Sequence, residues 1–284
     1  MFVIIGIVVV LASLLGGFIL AGGNIITLLV IPEYIIIVGV AIGSLLIANP
    51  LHVLKKVLSG IIGTIKGART NQTNYIELLK MMYEVFQFAK REGLIALEQH
   101  VEDPESSTII SKYPTFLENK KAVDFFCDTL KIILSGGIPA NDLEDLMDQD
   151  LEAIEQEDEI PPSSLQTMAD AFPGLGIVAA VMGIIITMGA ISEGAEAVGH
   201  HVAAALVGTF LGVLMSYGIV GPIAASMQKI SAKENKYLLA IKSGLLAFAK
   251  GSPASVAIEF SRRSIDPENR PSFKETEDAV KQAR

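Results

Sequence analysis

The chain has 284 residues, 51% of them hydrophobic, with a mean hydropathy of +0.49 and a formal net charge of −9. That average conceals a partition: residues 1–50 and 172–226 are nearly uncharged, whereas 51–171 and 228–284 carry almost all the charge. The pattern is that of a polytopic membrane protein with a substantial polar part, not of a globular enzyme; the acidic balance argues against a nucleic-acid partner, and the single cysteine, Cys127, excludes an internal disulfide framework.

Met1–Ala21 is a continuous apolar run. It lacks a basic leading segment and a small-residue cleavage site, so it reads as a span and not a signal peptide. A second run, Tyr34–Ala48, is short and is completed by Pro32, Glu33 and Asn49 at the interfaces. Gly39 and Gly43 form a small-xxx-small pair on it. The stretch 51–171 reads as helical. From Tyr75, apolar residues recur at Leu79, Met82, Phe86 and Ala89, and the opposite stripe is Glu77, Lys80, Glu84, Gln87 and Arg91. A helix continuing through Gly93 would add Glu98 to that stripe. Cys127 sits in an apolar-periodic stretch, as a buried thiol does. Leu143–Ile154 is amphipathic and acidic, through Asp148, Asp150 and Glu152. Pro161-Pro162 predicts a helix break, with Ser163 or Ser164 capping a new helix.

A helical hairpin follows at Pro173–Met227, with arms Pro173–Ser192 and Val202–Pro222. Between Asp170 and Lys229, tyrosine aside, only Glu193, Glu196, His200 and His201 ionise, all in the turn. At 1.5 Å per residue each arm can cross a core of about 30 Å. Gly176, Gly183, Gly208 and Gly212 suit both arms to close helix packing. The tail from Asp266 is polar and interrupted by proline, which predicts partial disorder.

No Lys or Arg precedes Lys55; Lys55, Lys56, Lys66 and Arg69 then follow, and Lys229, Lys233 and Lys236 follow the fourth span. The positive-inside rule puts both short turns outside and both termini in the cytoplasm. The predicted fold is all-α: spans 1 and 2 in 1–50, a cytoplasmic helical domain in 51–171, spans 3 and 4 in 172–226, and a cytoplasmic C-terminal helix and tail in 227–284.

No nucleotide-binding loop, metal cluster or hydrolytic triad is present, so neither enzyme activity, a metal nor a cofactor is expected. His200-His201 reads as a solvated pair or a ligand pair. None of the four spans is expected to carry a carboxylate, although ion movement through a membrane generally needs an ionisable group at depth. Thr187, Thr209 and Ser216 are either backbone-bonded packing residues or path-lining ones. If the chain conducts ions, a partner chain should supply the carboxylate. Pro173 and Pro222 stand at corresponding ends of the two arms, either as helix boundaries or kinks or as a pair of hinges.

The stretches PGLGIVAAVMGI (Pro173–Ile184) and ALVGTFLGVLMSYGIVGPIA (Ala205–Ala224) resemble the MotA family, the flagellar motor stator subunit. GGFILAGG (Gly16–Gly23), AKREGLIALE (Ala89–Glu98), YPTFLENK and RPSF (Arg270–Phe273) extend the resemblance nearly end to end. Four spans and a large cytoplasmic loop separate it from the three-span ExbB and TolQ proteins, which supply the alternative reading of a proton-driven energiser of outer-membrane processes. The resemblance implies that Pro173 and Pro222 couple ion flow to conformational change. It implies that Glu98, with Lys90 or the adjacent Arg91, acts on the rotor protein FliG, and Asp150 is grouped with them. Thr209 of the VGTF motif is expected to face the ion path. Ala180 stands where sodium-type relatives such as PomA carry a threonine, which implies protons. The implied partners are a MotB-like single-span subunit that carries the ion-binding Asp and grips peptidoglycan, further copies of this chain in a ring, five in the family pattern, and the lipid of the bacterial inner membrane.

Overall fold

A computed structural model describes residues 2–67 and 70–281. Arg69, one of the basic residues behind the predicted orientation, lies outside the described residues. Among these residues the regular structure is entirely helical, as expected, and four helices are long and apolar enough to cross a membrane.

Helix α1, Phe2–Leu20, buries no side chain within the chain and leaves an apolar cylinder for lipid or other helices. Asn24 then starts a 3₁₀ turn, Ile25–Leu28, by accepting the Ile26 N–H at 3.0 Å. Helix α2, Ile31–Ala48, opens with Pro32 in its first turn, where a missing N–H leaves no bond unmade. Its buried face is Glu33, Ile37 and Ala41, one residue per turn. Helix α3, Leu51–Lys66, buries Val53, Val57 and Thr64. Helix α4, Gln72–Glu92, is capped reciprocally by Asn71 and Asn74, at 3.0 and 3.2 Å. It stops at Gly93, whose φ of +91° lies in the left-handed region that ends helices. A 3₁₀ turn, Leu94–Leu97, leads to α5, Glu98–Glu102, so Glu98 does not prolong the α4 stripe. Short α6, Pro114–Leu117, and α7, Lys120–Ser135, follow.

Helix α8 runs from Ala140 to Gly189 with Pro161, Pro162 and Pro173 inside it. The expected break at Pro161-Pro162 does not occur. Pro161 and Pro162 give no ladder N–H to the carbonyls of Glu157 and Asp158, yet the helix runs on through both. In the next turn Ser164 Oγ bonds the Ile160 carbonyl at 2.8 Å and Thr167 bonds that of Ser163 at 3.0 Å. Helix α9, Ala195–Val213, passes through a π-helical turn, Leu214–Val220, into α10, Gly221–Ala249. Helices α11, Ala254–Ser264, and α12, Phe273–Lys281, end the chain. From Asp266 to Lys281 the tail is therefore ordered, against the expectation of partial disorder. Arg270 donates to the carbonyls of Ile265 and Arg263, and Ser272 and Glu275 form a capping box, which gives the RPSF segment its structural role.

The chain forms two compact units, Met1–Gly67 with Asp158–Ile230 and Ala68–Glu157 with Ser231–Arg284. The first, the membrane unit, packs Ile37, Ala41, Leu165, Ala169, Phe172, Ala179 and Leu211 together. The second, the polar unit, has α4 at its centre. The predicted face from Tyr75 to Ala89 is buried, and so are Leu78, Met81, Tyr83 and Val85, because α6, α11 and α12 pack on other sides. Phe86 stacks on Phe248 at 4.3 Å, and Phe116 meets Phe126 edge-on at 5.6 Å. Leu143, Met147, Leu151 and Ile154 of α8 join this core in the predicted register. Cys127 is buried as read, and burial pushes its thiol up to about 12.

Candidate functional site

The hairpin arms meet along glycine. A Cβ placed on Gly176 would stand 2.8 Å from the Gly208 carbonyl oxygen and 3.2 Å from the Thr209 Cα. One on Gly212 would stand 2.5 Å from the Phe172 carbonyl oxygen, and one on Gly183 would stand 2.7 Å from the Ala205 methyl. All four glycines singled out from the sequence thus lie in one seam of backbone-to-backbone approach. Gly39 and Gly43 have nothing within 4 Å of their Cβ positions among the described residues.

The two prolines bound this seam differently from either helix-boundary reading. Pro173 lies inside α8, next to the Phe172 carbonyl that presses on Gly212. Pro222 lies in the first turn of α10, directly after the π turn, so the helix bends its hydrogen-bond pattern but does not stop. The cause is local. Pro222 cannot donate to the carbonyl four residues back and its ring crowds that carbonyl. The preceding turn widens, and the Gly221 N–H reaches five residues back to the Ser216 carbonyl.

Thr209 and Ala180 are half-buried; Thr209 shares the seam through its Cα, and Ala180 follows Ala179. Thr187 is buried with its hydroxyl on the Gly183 carbonyl at 2.8 Å, which is the packing role of the two considered. His200 and His201 stand ring to ring at 5.9 Å, and no metal-holding group of His, Cys, Asp or Glu occurs among the described residues.

One residue overturns a sequence expectation. Glu33, assigned to an interface, is 5% exposed, and its Oε2 is buried without a hydrogen-bond partner. Gly208 faces both the Glu33 carboxyl and the Ala179 methyl: a Cβ on Gly208 would stand 2.5 Å from Glu33 Oε2 and 3.1 Å from that methyl. The membrane unit therefore does contain a carboxyl, packed between spans. Position alone hid it, since a glutamate in a first helical turn ordinarily serves the helix dipole at the surface.

In the polar unit, Lys90, Arg91, Glu98 and Asp150 are all exposed. Arg91 pairs with Glu92 at 3.3 Å. Ile95, between the charges, is 82% exposed. Glu84 and Glu77 belong elsewhere. Glu84 accepts from Lys112 at 2.9 Å and from the Tyr113 hydroxyl at 2.7 Å. Glu77 accepts from the Thr115 N–H and hydroxyl at 2.9 and 2.7 Å. The expected continuous charged stripe is thus split: its first half holds the α6 region in place and its second half is open.

Residues 4–93 match the family described as Motility protein A N-terminal, and residues 118–239 match the MotA/TolQ/ExbB proton channel family. Motility protein A of Escherichia coli strain K12 is 34% identical over 281 residues, covering 99% of this chain and 95% of its own length. The chain belongs to the MotA family of flagellar motor stator subunits. Chemotaxis protein LafT of Vibrio parahaemolyticus is 36% identical, over 96% of each chain. The flagellar MotAB stator complex from Bacillus subtilis superimposes with a TM-score of 0.72 at 26% identity, covering 90% of this chain and 92% of that one. Like other MotA-family chains it is a multi-pass membrane protein, and its family is one of stator and proton-channel proteins, not of enzymes.

Proposed function

We propose that this stator subunit works with a MotB-like single-span partner, moves protons across the bacterial inner membrane, and turns that flow into force on the rotor protein FliG. The full-length match to Motility protein A carries the reading and favours it over an ExbB/TolQ-like energiser. Both termini and the polar unit lie in the cytoplasm, where the basic residues gather. Five copies surround the partner dimer, and the unburied apolar face of α1 fits contact with lipid or a neighbouring copy. The partner's carboxylate alternates between protonated and ionised forms, and about 2.3 kcal/mol is available per proton for each 100 mV. Pro173 and the π turn before Pro222 absorb the resulting shift. Thr209 lines the path, and Ala180 offers no hydroxyl with which to help ligate sodium. The open charges Lys90, Arg91, Glu98 and Asp150 meet the rotor.

The test is ion replacement in swimming cells that carry this chain and its partner as their only stator. Motility persists without sodium and collapses with a protonophore. Speed that follows external sodium and ignores the protonophore would contradict the proposal.

A further inference from the structure

We propose that Glu33 is a second proton-binding carboxyl on the ion path, contributed by this chain and loaded from the outer side. The proposal rests on the proton-driven reading above. Its starting point is a carboxyl that is 5% exposed, has an unpartnered oxygen, and touches the arm that carries Thr209.

Depth is the first argument. Along α9, Ala195 and Gly208 are about 20 Å apart, and along α8, Ala179 and Gly189 are about 15 Å apart, at 1.5 Å per residue. Glu33 packs on Gly208 beside Ala179, so it sits well below the outer turn of the hairpin although it occupies the first turn of α2. The turn between the first two spans is therefore recessed. Its Thr27 and Leu28 line a cavity of about 530 Å³ together with Leu14, Phe18, Leu206 and Phe210. The recess shortens the protein between outer water and Glu33.

The charge environment is the second. An unpaired carboxylate among membrane helices is costly, so such a group holds a proton, finds a cation or meets water. No Lys or Arg occurs before Lys55 or between Asp170 and Lys229. The ionisable groups on the elements packed against Glu33 are Tyr34 on α2 itself and Glu196, His200 and His201 on α9; the membrane stretch of α8 has none before Glu193. His201 precedes Gly208 by seven residues, two turns further out on the same face of α9. No fixed cation competes with a proton at Glu33. The carboxylate takes a proton from the outer water, forming one O–H bond, and breaks that bond when it releases the proton towards the partner's carboxylate.

The experiment uses the complete two-subunit stator in vesicles loaded with a pH-sensitive dye, together with rotation of tethered cells. Dicyclohexylcarbodiimide, which attacks protonated carboxyls in apolar surroundings, is the chemical probe, and mass spectrometry locates its adduct. The expected result is an adduct on Glu33 that declines as external pH rises, and proton uptake reduced about tenfold or more in Glu33→Gln, the loss of a positioned proton-transfer group. Glu33→Asp keeps a proton site on a shorter arm and shifts the dependence of rotation on external pH. Wild-type uptake in Glu33→Gln, or no adduct on Glu33 in an active complex, overturns the proposal. If Glu33→Gln fails to assemble with the partner, Glu33→Asp decides, and a pH profile identical to wild type overturns it. Sodium uptake in place of proton uptake by the wild-type complex is a separate outcome that removes the underlying reading.

Discussion

The two units are held together by opposite kinds of side chain. In the membrane unit the closest contacts involve absent side chains: Gly176, Gly208 and Gly212 bring backbone against backbone. In the polar unit the core is made of large ones, with Tyr83, Phe86, Phe116 and Phe126 fully buried. The difference follows from the solvent. Water drives large apolar groups inward at about 25 cal/mol per Å². Lipid gives no such drive, so helices in it gain by approaching until their backbones touch.

The sharpest way to break this comparison is to add volume in one unit and remove it in the other. Gly212→Leu places its first carbon 2.5 Å from the Phe172 carbonyl oxygen and 3.0 Å from the Gly176 Cα, both backbone atoms that cannot swing aside. It should abolish the folded hairpin, read as loss of the full-length protein from membranes. Gly43→Leu, with open space around it in this chain, should leave the hairpin folded. Equal loss in both variants would show that glycine content, not the seam, is what matters. Phe86→Ala makes the complementary cavity. It should cost about 3–5 kcal/mol and open the polar unit to protease in full-length protein at a lower denaturant concentration. Cleavage unchanged from wild type would place the stability of that unit elsewhere.

A smaller effect tests charge in the polar unit. Glu259 accepts from Arg262 and Arg263, all at 2.7 Å, and these bonds hold its carboxyl down at about 2. A carboxyl depressed in the folded state contributes stability above its unfolded value near 4.5, and that contribution is lost as pH falls towards 2. Glu259→Gln should therefore destabilise at neutral pH by about 1 kcal/mol and flatten acid unfolding in that window. Parallel acid titrations of mutant and wild type would remove the pair from the account.

Much of this was legible beforehand, and the failures share a cause. Four spans and the α4 core face follow from hydropathy and period alone, and the glycines mark both arms for close helix packing without saying that the arms pack on each other. Pro161-Pro162 misled because two missing N–H groups weaken a helix without ending it when regular helix continues for many residues on both sides, as it does in α8. Gly93 ended α4 by adopting a positive φ, a conformation glycine permits but does not demand. The tail looked disordered because its partners, the carbonyls of Ile265 and Arg263, are set by tertiary placement. Glu33 was misplaced because burial depends on how far α2 sits below the hairpin turn, which no local pattern encodes.

Pro222→Ala should change stability less still. It restores a donor and removes the ring that widens Leu214–Val220, so the π turn should relax to regular helix. The protein should insert and assemble while rotation slows. Normal swimming would reduce the π turn to a packing detail.

The smallest structural effect belongs to the open charges. Lys90, Glu98 and Asp150 are exposed, and Gly93 separates Glu98 from the α4 core. Exposed charges contribute about 0–1 kcal/mol, so reversing them leaves the fold alone. Their effect on a partner is different, because charge sets approach and register more than static affinity. Glu98→Lys, and Lys90→Glu together with Arg91→Glu, should impair motility while assembly and proton leak stay at wild-type levels. Glu84→Gln is the contrasting control. Glu84 is held by Lys112 and Tyr113, so its loss should loosen the α6 region and lower stability, with no rescue from the rotor side. A compensating charge reversal in FliG should restore part of the rotation lost in Glu98→Lys. Rescue of Glu84→Gln by the same change, or failure to rescue Glu98→Lys with any FliG reversal, would show that the division between the inward carboxylates of α4 and the open charges around Gly93 is drawn in the wrong place.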